Sequence, residues 1–446
     1  MVVERSGEVV SERLARLTAD IDAGVRGAVD AFWNEAKACG TPLVEMVEGK
    51  DGVCLVTFLW RESPDEPIDH VAVAEWFSGR EMAPRLMERL GETDIWYRTV
   101  EMDSRLRFTY GYWINDSMEP LRDGPELPER VKRIRFDPLN PKRAFQSWMT
   151  KVETEFNRDS SVVELPDARP FRWRVDRGAP KGEVVKTTFS SERLGGERDV
   201  WVYTSPGIER ADEDAALLVQ FDGDACAGMM ALPAVLDNLR AEGLIRPVVG
   251  VFVGHGPYRG MDLTCNPEFT DVVADELIPW ARSRYRIGEG PESVIVAGQS
   301  LGGLAAAWIG LTRPDAVGSV ISQSGSFWFL HDLEMAFGAT PPVGTAPGFG
   351  WLPAEVATWD RVPTRFWLEV GTLEMTNEGL MPSMVYVSRH MRDVLLAKGY
   401  DVTYREYPGG HEWWYWGELL ADGILRFAGS AGRGNNRSGA DVSSAG

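Results

Sequence analysis

The chain has 446 residues, of which 44% are hydrophobic and 26% charged, as in a globular protein with a sizeable core. Its formal net charge of −20 argues against nucleic-acid binding through a basic surface. No apolar stretch reaches the roughly 18 residues that a membrane span needs. We therefore expect neither nucleic acid nor a membrane as a partner.

The cysteines and the start of the chain indicate a reducing compartment. Cys39, Cys54, Cys226 and Cys265 are far apart and form no C-x-x-C pair, so they are predicted to be reduced thiols. Residues 1–8 contain no apolar run, so we expect no signal peptide and a cytoplasmic protein. Because no H-x-x-x-H, no Cys/His cluster and no phosphate-binding glycine loop occurs, neither a metal site nor a cofactor is expected.

Residues 1–180 are predicted to form an N-terminal domain that caps the substrate. Apolar residues recur at helical spacing over 11–38, which predicts one or two helices. Three runs rich in β-branched and aromatic residues follow, at 53–60, 95–100 and 106–114, with turn residues between them. This pattern favours an immunoglobulin-like β-sandwich.

Residues 181–430 change to alternating strands and helices. Strands are predicted at 184–189, 198–203, 217–221 and 248–252, with a helix at 233–242 between the last two. This alternation predicts an α/β domain with a mostly parallel sheet.

Two segments of the chain lack a periodic pattern. Residues 339–349 are rich in Pro and Gly and could shape a pocket, and the Gly/Ser/Asn-rich tail 431–446 is expected to be disordered.

A candidate nucleophile lies at Ser300. The apolar run 294–297 continues into Gly298-Gln299-Ser300-Leu301-Gly302, and a helical pattern follows. In such a strand–turn–helix elbow, Gly298 and Gly302 occupy places where a Cβ would collide, and the serine Oγ projects from the apex. The same motif also forms ordinary turns, but its context favours an α/β-hydrolase nucleophile.

The general base is predicted to be His411. Only His331, His390 and His411 follow Ser300, and in α/β-hydrolases the base comes last. His411 lies in a Gly-rich loop between the strand-like run 402–407 and the last helical pattern. His390 falls inside an amphipathic helix, and His331 comes too early in the chain.

The orienting acid is predicted to be Glu374. It follows shortly after the apolar strand 365–371, where this fold places its carboxylate. Glu369 lies within that strand and is better explained as a partnered buried carboxylate, while Asp360 precedes the strand. A Ser–His dyad without an acid also remains open.

Two backbone N–H groups are predicted to stabilise an oxyanion. One is that of Leu301, at the start of the nucleophile helix. The other belongs to the loop 222–224, which follows the strand 215–221, and we assign it to Asp224 with Gly223 as the alternative. Asp-Gly is also a common turn.

Several segments beyond the elbow resemble one family in their order. These are Arg259-Gly260-Met261-Asp262-Leu263-Thr264-Cys265-Asn266-Pro267-Glu268-Phe269 with the later Glu276-Leu277-Ile278-Pro279, Ser322-Gln323-Ser324-Gly325-Ser326-Phe327-Trp328, Gly409-Gly410-His411 with Trp414, and Asp137-Pro138-Leu139-Asn140-Pro141. Together they resemble the enterobactin (enterochelin) esterases, which hydrolyse trilactone catecholate siderophores. The resemblance covers most of the chain.

The resemblance implies the two-domain fold and further site residues. Arg259 and Asn266 would lie near the substrate, Trp328 would line the pocket wall, and Trp414 would lie beside the base. Each also has a structural interpretation: Arg259 could pair with Asp262 or Glu276, Asn266 could be a turn residue, and the tryptophans could belong to the core.

The expected activity is serine ester hydrolysis. By resemblance the substrate is a trilactone siderophore, iron-bound or iron-free, or its linear oligomers, and hydrolysis would release iron. Two alternatives remain: an esterase or off-loading acyltransferase for another macrolactone or biosynthetic intermediate, and a binding protein with an inactive triad.

Overall fold

The computed structural model describes residues 11–75, 81–120, 126–144, 160–210, 214–329, 350–375 and 383–430. The predicted pocket-shaping segment 339–349, the tail 431–446 and His331 lie outside these residues.

The N-terminal part contains helices followed by antiparallel strands. Its helices are α1 (Glu12–Asp22), α2 (Ala28–Cys39) and α3 (Leu127–Lys132). Its strands are β1 (Leu43–Met46), β2 (Val53–Arg61), β3 (Val71–Ala74), β4 (Glu88–Arg89), β5 (Ile95–Asp103), β6 (Arg107–Ile114) and β7 (Ser161–Glu164). They form a four-stranded sheet in the order β1-β2-β5-β4 and a three-stranded sheet in the order β3-β6-β7.

The two antiparallel sheets share one hydrophobic core. Side chains from β2, β3, β5 and β6 meet there, including Phe58, Val73 and Val100. The hydroxyls of Tyr110 and Tyr112 both donate to Asp137 Oδ2, at 2.7 and 3.1 Å, so the buried tyrosines are satisfied.

The C-terminal part contains eight strands and nine helices among the described residues. The strands are β8 (Glu183–Ser191), β9 (Gly196–Thr204), β10 (Ala216–Phe221), β11 (Val248–Val253), β12 (Val294–Gln299), β13 (Ser319–Gln323), β14 (Arg365–Gly371) and β15 (Val402–Tyr407). The helices are α4 (Gly223–Ala227), α5 (Leu232–Ala241), α6 (Arg259–Leu263), α7 (Pro267–Asp271), α8 (Ile278–Arg282), α9 (Leu301–Thr312), α10 (Trp351–Thr358), α11 (Met384–Ala397) and α12 (Trp413–Ala428). A π-helical turn, Val272–Leu277, connects α7 to α8.

One large, mostly parallel sheet organises this part, in the order β15-β14-β13-β12-β10-β11-β9-β8. The strands β10 to β15 are parallel to their neighbours, and β9 and β8 add antiparallel pairs at one edge. Every residue of β10, β11 and β12 is buried, because core side chains cover both faces. The predicted α/β fold is confirmed at this level.

The carboxyl ends of the parallel strands meet at one edge of the sheet, where α/β proteins place their ligands. The chain leaves β12 at Ser300, β13 at Ser324, β14 just before Glu374 and β15 just before His411. None of the described helices has the length and apolar character needed to cross a bilayer.

Candidate active site

Ser300 has a strained backbone at the turn between β12 and α9. Its φ of 56° and ψ of −120° lie in a region that side-chain-bearing residues rarely occupy. The turn is fixed on both sides, because Ser300 N–H donates to Gln323 O at 3.0 Å and Ser300 O accepts from Ser326 N–H at 2.9 Å. The hydroxyl is therefore held at the edge of the sheet.

Two glycines make the close approach at this elbow possible. A Cβ on Gly298 would lie 2.3 Å from the Gly302 carbonyl group, and one on Gly303 would lie 2.6 Å from Ser322 Oγ. A Cβ on Gly302 would come no closer than 3.4 Å to any neighbour, which is an ordinary contact. The prediction for Gly298 thus agrees with the structure, whereas that for Gly302 is wrong, and Gly303 is the second crowded position.

Glu374 holds the imidazole of His411. Its Oε2 lies 2.6 Å from His411 Nδ1, and its Oε1 accepts from Ser324 Oγ at 2.6 Å and from Gly371 N at 2.8 Å. Glu374 is buried, whereas the His411 side chain is 32% exposed. A buried carboxylate with donors on both oxygens fixes the ring by its Nδ1 and leaves Nε2 for chemistry.

Aromatic residues hold the histidine loop, Gly409-Gly410-His411, in place. The His411 ring packs edge-on against Trp416, with centroids 4.7 Å apart. Trp416 Nε1 donates to Tyr407 Oη at 2.8 Å, and that hydroxyl donates to Gly410 O at 3.1 Å. Burial raises the pKa of Tyr407 well above its usual value, so the hydroxyl stays neutral and remains a donor.

Ser300 and His411 are not hydrogen-bonded to each other in the described structure. Ser300 Oγ lies 3.3 Å from Ser326 Oγ, and the imidazole of His411 is bonded to Glu374. The Ser300 hydroxyl is therefore directed at a neighbouring serine in this state.

The other acidic and histidine candidates lie in different surroundings. Glu369 is buried within β14, accepts from Gln323 Nε2 and Trp367 Nε1, and has a pKa that burial raises to about 7. Asp360 is exposed before β14, and His390 lies on α11.

Two helix starts lie side by side at the candidate oxyanion site. The segment 222–224, predicted as a loop, instead begins the short helix α4, and α9 starts at Leu301. A Cβ on Gly302 would lie 3.4 Å from Asp222 Oδ2, so the two starts are adjacent. The first N–H groups of a helix have no intrahelical acceptor and can bind an anion.

The turn into α4 depends on Asp222 as well as on Gly223. Asp222 takes the left-handed conformation, with φ of 57°. Gly223 is required for space, because a Cβ there would lie 2.4 Å from Phe252 O. Burial and the negative charge of Asp222 raise the pKa of Asp224.

Arg259 holds this turn through two hydrogen bonds. Its Nε donates to Asp222 Oδ1 at 2.6 Å and its Nη2 to Asp222 Oδ2 at 2.9 Å, and a quarter of its side chain remains exposed. The partners considered from sequence pair elsewhere: Asp262 binds Arg198 and His255, and Glu276 lies 3.5 Å from Arg193.

The remaining predicted substrate residues occupy structural positions. Asn266 caps α7, because its Oδ1 accepts from the N–H groups of Glu268 and Phe269. Trp328 is partly buried against the hydrophobic core that includes residues of the large C-terminal sheet. Trp414 is 3% exposed and packs edge-on against Phe171, with centroids 4.9 Å apart.

Three polar residues of the site were not assigned from sequence. They are Ser324, which binds Glu374, Ser326, which contacts Ser300, and Tyr407, whose hydroxyl donates to Gly410 O. The two serines belong to Ser322-Gln323-Ser324-Gly325-Ser326, and this polar run across the carboxyl end of the buried strand β13 was the available signal.

Comparison with known proteins identifies the family. The family model described as putative esterase matches residues 191–427, and the one described as enterochelin esterase, N-terminal, matches residues 55–174. The iron(III) enterobactin esterase of Yersinia enterocolitica is 31% identical over 350 residues, covering 71% of this chain and 90% of that protein. This chain belongs to the enterobactin esterase family. It is a carboxylic-ester hydrolase.

Other relatives of this esterase extend the similarity over nearly the whole chain. The iron(III) enterobactin esterase of Dickeya dadantii is 29% identical over 429 residues, covering 89% of this chain and 92% of that protein. The crystal structure of the ferric enterobactin esterase of Salmonella typhimurium superposes with a TM-score of 0.71 at 26% identity, over 89% of this chain and 98% of that one. The Shigella flexneri enterobactin esterase, crystallised in the presence of enterobactin, gives a TM-score of 0.67 at 25% identity, over 89% and 97%.

Proposed function

We propose that this esterase hydrolyses the ester bonds of a trilactone catecholate siderophore of the enterobactin type, or of its linear oligomers, and thereby releases iron. The observation that carries the proposal is the His411–Glu374 pair at the sheet edge where the strained Ser300 emerges. The Shigella relative crystallised in the presence of enterobactin supports this substrate class.

Ser300 is the proposed nucleophile and His411 the proposed base. Ser300 Oγ attacks the ester carbonyl carbon while His411 Nε2 takes its proton, and Glu374 stabilises the imidazolium through Nδ1. For this step the Ser300 hydroxyl turns away from Ser326 by rotation about χ1. Catalytic hydrogen bonds often tighten only when substrate is bound, so the present contact is compatible with the step.

The tetrahedral oxyanion is proposed to lie between the starts of α9 and α4. Leu301 N–H is one donor and Asp224 N–H the other, with Gly223 N–H as the alternative. These donors are fixed in place before reaction, so stabilising the developing charge requires little reorganisation. Collapse expels the alcohol of the lactone, which takes the proton from His411, and leaves an ester on Ser300. Water activated by His411 then hydrolyses this ester.

Arg259, Asn266, Trp328 and Trp414 are the proposed substrate contacts. Arg259 has the best support, because its guanidinium binds Asp222 at the proposed oxyanion turn and its side chain is 25% exposed. Trp414 would reach a ligand only if its contact with Phe171 opened. A ferric catecholate complex is anionic, and the chain's net charge of −20 opposes its approach, so iron-bound and iron-free substrates need separate tests.

We also propose how the chain divides into domains. Residues 1–180 form an N-terminal helical segment followed by an immunoglobulin-like sandwich, which together cap the substrate; residues 181–430 form the catalytic domain and residues 431–446 a tail. The helices α1 and α2 and the two antiparallel sheets with a common core support the first part. A cytoplasmic location is supported by the free thiols of Cys54, Cys226 and Cys265, whose pKa values burial raises.

A substrate panel tests the proposal. Wild type and Ser300→Ala are incubated with the cyclic trilactone and its linear trimer and dimer, each with and without iron, and products are identified by mass spectrometry. We expect stepwise hydrolysis by wild type and a loss of at least about 10³-fold in Ser300→Ala. Activity of that variant within tenfold of wild type, about 1.4 kcal/mol of barrier, would contradict the assignment.

A further inference from the structure

The N-terminal sheet binds the residue that directly follows the proposed base. Thr109, on β6, donates both its backbone N–H and its Oγ–H to Glu412 Oε1, at 2.6 and 2.5 Å. The other carboxylate oxygen of Glu412 accepts from Trp414 Nε1 at 3.1 Å. The contact joins residues 303 positions apart in the chain.

The carboxyl group of Glu412 is buried, so it depends on its hydrogen-bond donors. The residue is 5% exposed, and burial raises the pKa of its carboxyl, while the hydrogen bonds from Thr109 and Trp414 oppose that shift. A carboxylate taken out of water without its donors would be costly. The side chain is therefore fixed where Thr109 places it, and its backbone also begins α12.

The N-terminal sheets also reach the residue before the proposed acid. Leu373 is 8% exposed and packs into the core that the two N-terminal sheets share. Its N–H donates to Gly409 O at 2.9 Å, which ties the segment carrying Glu374 to the histidine loop. Each member of the acid–base pair thus has an immediate neighbour held by the N-terminal part.

We propose that Thr109 and Glu412 are positioning residues through which the N-terminal domain orients the imidazole of His411. The inference rests on the proposed role of His411. The imidazole is anchored at Nδ1 by Glu374, and the backbone before it is held where Gly409 O accepts from Leu373 N–H and Gly410 O from Tyr407 Oη. The Glu412 carboxylate fixes the other side of that backbone, so Nε2 keeps one direction.

Matched substitutions of Thr109 test the inference. Thr109→Val keeps the size and the N–H but removes the hydroxyl donor, whereas Thr109→Ser keeps both donors. Thr57→Val is the control, because Thr57 is a buried threonine of the four-stranded sheet whose hydroxyl contacts Thr99 Oγ1 at 2.9 Å. We expect Thr109→Val to lower kcat about tenfold with KM within twofold, and Thr109→Ser and Thr57→Val to keep kcat within twofold.

A Glu412 variant and a parallel assay of Ser300→Ala complete the experiment. If Thr109→Val does not fold, Glu412→Leu removes both carboxylate oxygens at a similar size and is expected to give the same fall in kcat. Unchanged kcat in these variants, with only a lower melting temperature, would overturn the inference while leaving the proposed function intact if Ser300→Ala is inactive. An active Ser300→Ala would overturn both.

Discussion

At the scale of single residues, geometry distinguishes two carboxyl groups as candidates for the proposed acid. Glu374 and Glu369 are five positions apart on one segment, yet only Glu374 leaves the strand and meets His411. Glu369 points into a buried amide network and keeps a raised pKa. The distinction was predictable because a residue inside a buried strand cannot reach a loop beyond its end.

Removing the charge of Glu374 should reduce turnover strongly. Glu374→Gln keeps the shape but loses the carboxylate that stabilises the imidazolium, so we expect kcat to fall about 10³-fold or more with KM within a few fold. Ser324→Ala, which removes one donor to the same carboxylate, should lower kcat about tenfold. Steady-state kinetics on folded variants measure both. A Glu374→Gln variant that keeps a tenth of wild-type kcat would favour a Ser–His dyad.

At the scale of elements, the elbow depends on close contact between α9 and the strands beside it. The motif predicted the strand, the turn, the helix and the crowding at Gly298, but it did not predict which glycine of α9 is crowded. That depends on how β13 and the segment after it pack over the start of α9, which local sequence does not determine.

Two neighbouring glycine substitutions should therefore differ in stability. A Cβ at Gly303 would meet Ser322 Oγ at 2.6 Å and Gly325 Cα at 3.0 Å, so Gly303→Ala should lower the free energy of unfolding by about 1–3 kcal/mol. Gly302→Ala makes only ordinary contacts and gains helix propensity, so it should be neutral or stabilising by up to about 1 kcal/mol. Urea unfolding of the two variants compares them, and equal destabilisation would be evidence against this packing.

A row of buried amides crosses the sheet next to the elbow. Gln220 Nε2 donates to Gln299 Oε1 at 3.0 Å, Gln299 Nε2 to Gln323 Oε1 at 2.6 Å, and Gln323 Nε2 to Glu369 Oε1. Four strands near their carboxyl ends are linked in this way. The row ends in the only carboxyl group among these four side chains.

The raised pKa of Glu369 gives stability a defined pH dependence. Its folded pKa of about 7 exceeds the ordinary 4.5, so the folded chain holds a proton that the unfolded chain has lost between these values. The contribution of the protonated Glu369 to the free energy of unfolding is complete below about pH 4.5 and is lost as pH rises through about 7. The free energy of unfolding falls by no more than about 1.4 kcal/mol per pH unit from this cause.

Urea unfolding from pH 5 to 8 measures this effect by difference. The free energy of unfolding of Glu369→Gln minus that of wild type should increase with pH, because the variant has no group to ionise there. A difference that stays constant over this range would show that the folded and unfolded pKa values agree.

At the scale of the whole molecule, long strands could be predicted from sequence, whereas contacts between residues far apart in the chain could not. The predicted strands 365–371 and 402–407 match β14 and β15, since each is a continuous run with clear ends. The short strands β3 and β4 were missed, because their pairing depends on β6 and β5 further along the chain. The Arg259–Asp222 pair likewise exists because β10 and β11 are neighbours and bring their following segments together.

The net charge predicts how salt should affect the two forms of the substrate. Repulsion between a chain of charge −20 and an anionic ferric complex weakens when ions screen it, over about 10 Å at 0.1 M salt. We expect kcat/KM for the ferric form to rise with sodium chloride between 10 and 300 mM, and that for the iron-free form to change less. A fall for the ferric form would instead indicate a local cationic approach to the site.

The central claim is that Ser300 carries the acyl group during hydrolysis. The most direct measurement mixes the esterase with excess cyclic trilactone, quenches with acid within milliseconds to seconds, and maps peptides by mass spectrometry. We expect an acyl adduct on the peptide containing Ser300, which forms before the product accumulates and is absent from Ser300→Ala. Continued turnover by Ser300→Ala, or an adduct on another residue that forms and decays at the rate of turnover, would contradict it.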